Sequence, residues 1–190
     1  MKKIVIAVLL SCIIGVAFAQ VNQPLDSFWG IKWGSDVATV KEAVKNKGEY
    51  ELAMADKDTL LYSGTFGGDE ARILFCFYKE KLYTGLVIYP YEANKAIDKY
   101  LEVKSQLIEK YGKPKIDLEN FKSPYYRGDG LEERALRINK AFFSAHWFFS
   151  DKNEIFLTIT PNLDVALKYT NKEVEEELDQ EKQKKNLSDF

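Results

Sequence analysis

Apolar side chains recur along this chain with two periods, and the changes of period mark its elements. Val37, Val40 and Val44 step by three and four behind a capping Ser35 or Asp36 and ahead of Gly48, which predicts a helix over 36–47. Three strand-like segments follow: Leu60 to Phe66, Ala71 to Tyr78 and Leu82 to Tyr89. They are separated by Gly67-Gly68-Asp69 and Lys79-Glu80-Lys81, turns short enough for antiparallel hairpins. Ile97, Tyr100, Leu101, Leu107, Ile108 and Tyr111 then form a helical stripe within 92–111, closed by Gly112 and Pro114. Lys115 to Leu131, with Pro124, Gly128 and Gly130, reads as an irregular loop. Strands are expected again at Ala135 to Ile138 and Ala141 to Phe149, at Glu154 to Thr160, and at Val165 to Thr170.

The order is α-β-β-β-α-loop-β-β-β, which can be read as a duplicated α-β-β-β unit. Hairpin-linked strands with segregated helices predict an α+β domain over 20–170, a curved antiparallel sheet with two helices on one face. Residues 171–190 are rich in charge, with Glu173, Glu175, Glu176 and Glu177 ahead of Lys182, Lys184 and Lys185. That order suits the helix dipole and reads as a solvated C-terminal helical tail.

If both helices cover one sheet face, the other should be polar where water reaches it. The alternation says otherwise. Phe142, Ser144, His146 and Phe148 fall on one face of their strand, and Phe156, Thr158 and Thr160 on one face of theirs. Tyr83, Val87 and Tyr89 make the corresponding set in the first half. Such a mixture of rings and hydroxyls suits contact with a partner, because aromatics supply area at low rotamer entropy and hydroxyls fix orientation. Tyr83, Tyr89, Phe142, His146, Phe148 and Phe156 are therefore the expected partner or ligand face.

The N-terminus changes the setting of this domain. Lys2 and Lys3 precede an uncharged, largely apolar stretch from Ile4 to Ala19 that ends in Ala17-Phe18-Ala19. A positive start, an apolar run and a small-x-small end make a signal peptide over 1–19, with Gln20 first in the mature chain. The run is shorter than the ~20 residues that cross a bilayer, so no transmembrane segment is expected after cleavage. The product would be periplasmic or secreted. Leu9-Leu10-Ser11-Cys12 also resembles a lipobox, which would leave a structural envelope lipoprotein acylated at Cys12.

Composition narrows the chemistry. The chain has 190 residues, 27 Lys+Arg against 29 Asp+Glu, 46 % apolar types and one His. Disorder requires low hydrophobicity with high net charge, and a nucleic-acid binder a strong basic excess; neither holds. One His and two Cys cannot build a usual zinc site, so no metal and no cofactor are expected. Cys76, within Ile73-Leu74-Phe75-Cys76-Phe77-Tyr78, reads as a small buried hydrophobe. His146 is the only imidazole available for acid–base work, and Ser144 shares its strand face about 7 Å away. A hydrolase using Ser144 and His146 is therefore the enzymatic alternative, although no Gly-x-Ser-x-Gly turn presents the serine. The leading expectation is a non-enzymatic exported domain that binds an envelope protein or a small ligand.

Phe28-Trp29-Gly30-Ile31-Lys32-Trp33-Gly34 and the capped helix after it resemble the opening of a group of exported bacterial proteins of unknown function. These begin with a Phe-x-Gly-Ile-x-Trp-Gly type motif directly after the signal peptide. Phe75 to Tyr83 and Lys110-Tyr111-Gly112-Lys113-Pro114 are similar to later segments of the same group, so the resemblance spans 28–114. It implies the fold and brings no catalytic residues with it.

Overall fold

The computed structural model describes residues 23–188; the leader over 1–19 and Cys12 lie outside them. The described chain opens with a small hairpin, β1 (Ser27–Phe28) and β2 (Ile31–Lys32), then α1 (Val37–Lys45). Four strands follow: β3 (Glu51–Ala55), β4 (Thr59–Phe66), β5 (Asp69–Tyr78) and β6 (Lys81–Tyr89). The second half runs α2 (Ala96–Tyr111), β7 (Ile116–Phe121), α3 (Glu132–Arg137), β8 (Ala141–Phe148), β9 (Glu154–Ile159), β10 (Val165–Thr170) and α4 (Lys172–Ser188).

The sheet order is β3-β4-β5-β6-β10-β9-β8-β7. Each half winds from an edge inward as a four-stranded meander behind its own helix, and the two last strands meet antiparallel at the centre. There Val165 lies opposite Tyr89 and Thr170 opposite Thr84. The α+β architecture with an open curved sheet is therefore as the patterns imply, with one more strand per half than the periodicity indicated.

The two added strands are the edges. On β3 all five residues are exposed, and on β7 only Phe121 is partly covered, so burial imposed no readable apolar pattern on either. The expected loop over 115–131 thus begins with a strand. Residues 132–137 form a helix where 135–138 was expected to be a strand. Ala135 and Leu136 are both buried, and the segment is too short for its apolar spacing to separate the two periods.

Local signals hold elsewhere. Asp36 is the cap of α1: its carboxylate accepts from the Thr39 amide at 2.7 Å, and that bond holds its pKa below the ordinary value. Gly112 ends α2 at φ 77°, donating its amide to Ile108 O at 2.8 Å.

The core lies between the helices and one sheet face. Ile73, Phe75, Val87, Leu157, Leu167 and Phe143 are at most 2 % exposed. Val40 and Val44 of α1 and Tyr100, Val103 and Leu107 of α2 close over them. The N-terminal hairpin completes this layer through Phe28, which is fully buried against Phe75 (centroids 5.4 Å) and Tyr169 (5.2 Å). Its ring lies on Gly85, where a Cβ would come within 2.0 Å of Phe28 Cδ1. Buried Asn153 ties the ends of the fold: its Nδ2 donates to Leu25 O at 2.9 Å, and its Oδ1 accepts from the Lys172 amide at 3.0 Å.

Gly85→Ala overpacks this contact, and its unfolding free energy in denaturant should fall by ~1–3 kcal/mol. Adding Phe28→Leu should cost less than the sum of the two single changes, because both act on one contact.

Candidate functional site: the uncovered sheet face

Register alignment places a continuous row across the face opposite α1 and α2. Met54 pairs with Leu61, Leu61 with Leu74, and Leu74 with Leu86. Leu86 pairs with Lys168, Lys168 with Phe156, Phe156 with His146, and His146 with Ile116. A second row runs through Arg72, Ile88, Ala166, Thr158, Ser144 and Leu118. The first row is apolar except for Lys168 and His146, and the second is evenly mixed. Met54 at the β3 edge is 44 % exposed, and the other large apolar exposures of this face lie at the β7–β8 end. Phe142 is 47 % exposed, Leu118 48 %, Ile116 40 % and Phe148 38 %.

Strand β7 alternates in the inverse sense to an ordinary half-buried strand. Its apolar Ile116 and Leu118 face the open side, while Asp117 and Glu119 face the helix side. There Asp117 meets Lys104 of α2 at 2.7 Å, and Glu119 meets Arg127 at 3.6 Å. Ion pairs thus occupy the side where an edge strand would ordinarily bury apolar groups, and the apolar groups are left toward water.

His146 sits within the exposed cluster. Phe148 lies 4.1 Å from its ring centroid and Phe156 5.3 Å. His146 Nε2 is 3.0 Å from Glu154 Oε2, and the two side chains are 20 % and 15 % exposed. The neighbouring Ser144 is 3 % exposed, so its hydroxyl is poorly reachable by a substrate. Neither Ser144 nor His146 lines any of the four cavities described. Among the described residues no cluster of His, Cys, Asp and Glu could hold a metal ion.

Of the residues expected on this face, His146 meets Phe148 and Phe156, while Phe142 lies on the same face of β8 but four residues from His146, beyond Ser144. Tyr83 lies on the same side, farther along β6 where α4 begins: its carbonyl accepts from the Asn171 amide at 2.8 Å. Tyr89 does not belong there. It is 4 % exposed on the helix side, with Lys99 Nζ 5.9 Å from its ring centroid. The cause is a β-bulge, where Cys76 pairs with Thr84 but Phe77 with Leu82, so the extra residue Tyr83 breaks the alternation between the two tyrosines. Leu118, Ile116 and Met54 were missed; the apolar-polar alternation of 116–119 was the available signal.

Compared with known protein families, with curated proteins and with solved structures, the chain matches none.

Helix α4 covers the other end of the face, and charges hold much of it. Lys79 meets Glu177 and Glu181, each at 2.7 Å, and Lys168 meets Glu175 at 2.7 Å. Lys172 bridges to Glu154 at 3.7 Å and also pairs with Glu175, which links α4 to the acid that orients His146. Half-buried Val174 and Leu178 provide the apolar part of the contact. Under the helix, Thr84 and Thr170 are buried with their hydroxyls unpartnered. Burial pushes the Glu175 carboxyl up, but its bonds to Lys168 and Lys172 outweigh this and hold it below its ordinary 4.5.

A depressed carboxylate stabilises docking above its ordinary pKa, and that contribution is lost as pH falls through the lower docked value. Below about pH 4, the protection of amides 173–181, taken relative to their intrinsic exchange rate at each pH, should therefore fall while that of β5, β6, β9 and β10 is kept. Raising salt to 1 M at neutral pH should act in the same direction, because the Debye length falls to about 3 Å. Hydrogen exchange read by mass spectrometry measures both.

Proposed function

We propose that this chain is an exported, non-enzymatic binding domain that engages a protein of the cell envelope through the β7–β9 end of its uncovered sheet face. The observation that carries the reading is the clustering of Phe142, Phe148, Ile116 and Leu118, each more than a third exposed, on the side away from the helices. Monomeric proteins rarely leave contiguous apolar area in water without a use for it. The rigid eight-stranded sheet fixes these side chains in register, so little ordering entropy opposes docking. His146 and Thr158 add polar groups within the patch, the mixed composition found at interface cores and rims. Export follows from the Lys2-Lys3 start and the Ala17-Phe18-Ala19 end of the apolar leader.

The enzymatic alternative has one observation in its favour, the acid within hydrogen-bond distance of the single imidazole. A Ser-His-acid mechanism also needs an accessible hydroxyl and an oxyanion-binding cavity beside it. Burial of Ser144 opposes that, and Glu154 reads more simply as the link between His146 and the α4 ion pairs.

A photo-crosslinker at Phe142 in the exported chain, expressed in its native host, should yield an adduct of defined mass with an envelope protein. Phe148→Ser should remove that adduct while leaving the thermal midpoint nearly unchanged, because the side chain is part-exposed. The same crosslinker at Lys41 on α1 should not yield it. Absence of an adduct at Phe142, or the same products from Lys41, would overturn the reading. Hydrolysis of short-chain esters that is lost in His146→Ala would overturn the non-enzymatic assignment.

A further inference from the structure

A cavity of about 430 Å³ lies on the opposite side of the sheet, where the two halves of the fold join. Its floor is made by the central strands: Leu167 and Tyr169 of β10 with Tyr89 of β6. Val103, Leu107 and Tyr111 of α2 form one wall, and Leu25, Trp29 and Phe66 form the facing wall. The volume falls within the ~300–1,000 Å³ range typical of small-molecule sites, and its lining joins aromatic and aliphatic side chains with the polar groups of Gln23, Asp26, Ser27, Gln106 and Lys110.

The walls are fixed in advance. Leu25, at the outer wall, is 4 % exposed, and its carbonyl accepts from Trp33 Nε1 at 2.5 Å and from Asn153 Nδ2 at 2.9 Å. Phe66 is stacked 6.3 Å from Phe28 and lies 5.4 Å from Trp29. The cavity therefore does not depend on a segment closing over it.

The lining polarity selects the occupant. The charged residues among those lining it, Asp26 and Lys110, are exposed and belong to the mouth together with Gln106. Deeper in, the polar groups are phenols. Burial pushes the Tyr89 hydroxyl well above its ordinary pKa, with Asp69 and Glu102 adding to the effect. Burial with Tyr111 alongside does the same to Tyr169. Both stay neutral; the Tyr169 hydroxyl bonds Tyr111, so Tyr89 supplies the donor. An anion or cation would lose its hydration without meeting a buried counter-charge, whereas a neutral molecule with an acceptor oxygen would bury its apolar body and meet a phenol.

We propose that this cavity is a binding site for a small, uncharged, largely apolar molecule of one or two rings that carries a carbonyl or ether oxygen. The site is independent of the sheet face and shares no residue with the Phe142–Phe148 cluster.

Prodan, a neutral naphthalene with a ketone oxygen and polarity-sensitive emission, tests this directly on the mature chain from Gln20. A saturable blue shift with one site per chain is expected. Gln106→Trp, at an exposed α2 position where folding is not at stake, should block the mouth and weaken binding at least tenfold. Tyr89→Phe should weaken it about fivefold, the loss of one hydrogen bond. Phe142→Ser should leave binding unchanged. Absence of saturation would overturn the proposal, as would binding that is lost in Phe142→Ser or that is indifferent to Gln106→Trp.

Discussion

The contact of Phe28 with Gly85 is the constraint on which the arrangement of this protein rests. Strands β6 and β10 carry the junction between the halves, and a side chain at position 85 would hold the N-terminal hairpin away from them. With hydrogen in place of a Cβ, the Phe28 ring reaches the sheet and joins Phe75 and Tyr169 in one aromatic cluster. The hairpin then takes its place in the layer that α1 and α2 begin. Burying a ring of this size contributes ~1.5–3 kcal/mol from area alone, and here it also fixes where the chain enters the fold.

Because that layer lies on one side, the sheet has two unlike faces. One is closed by the hairpin and helices and holds the aromatic-lined cavity at the central junction. The other is covered at one end by α4, and largely through charge. Lys79, Lys168 and Lys172 meet Glu177, Glu181 and Glu175, while Glu154 links the same set to His146. Exposed ion pairs are individually worth ~0–1 kcal/mol, so α4 is held by many weak contacts and two half-buried apolar residues, not by a core of its own. At the far end, β7 puts its ion pairs on the helix side and leaves Ile116 and Leu118 toward water.

Much of the fold was legible from period and punctuation. The helices ending at Lys45 and Tyr111 announced themselves through apolar spacing, the Asp36 cap and the Gly112 stop. The inner strands announced themselves through runs of β-branched and aromatic residues. Strands β3 and β7 were hidden because they are edges, shaped by a hydrogen-bonding partner on one side and by little burial. Helix α3 was hidden because six residues are too few to tell one period from another. In the candidate site, strict alternation correctly grouped Phe142, His146, Phe148 and Phe156. It failed for Tyr89, because the bulge at Tyr83 is a property of how two strands pair.

The sequence by itself determined the α+β class, most of the elements and the alternation that leaves aromatics on a second face, because these follow from side-chain period and turn chemistry acting over a few residues. Only the tertiary structure decided that the two meanders meet through β6 and β10, that Tyr89 joins Tyr169 beneath α2, and that Glu154 stands between His146 and Lys172. Those outcomes depend on register between strands far apart in the chain. A one-residue slip reverses which face a side chain occupies, and no local pattern records that choice.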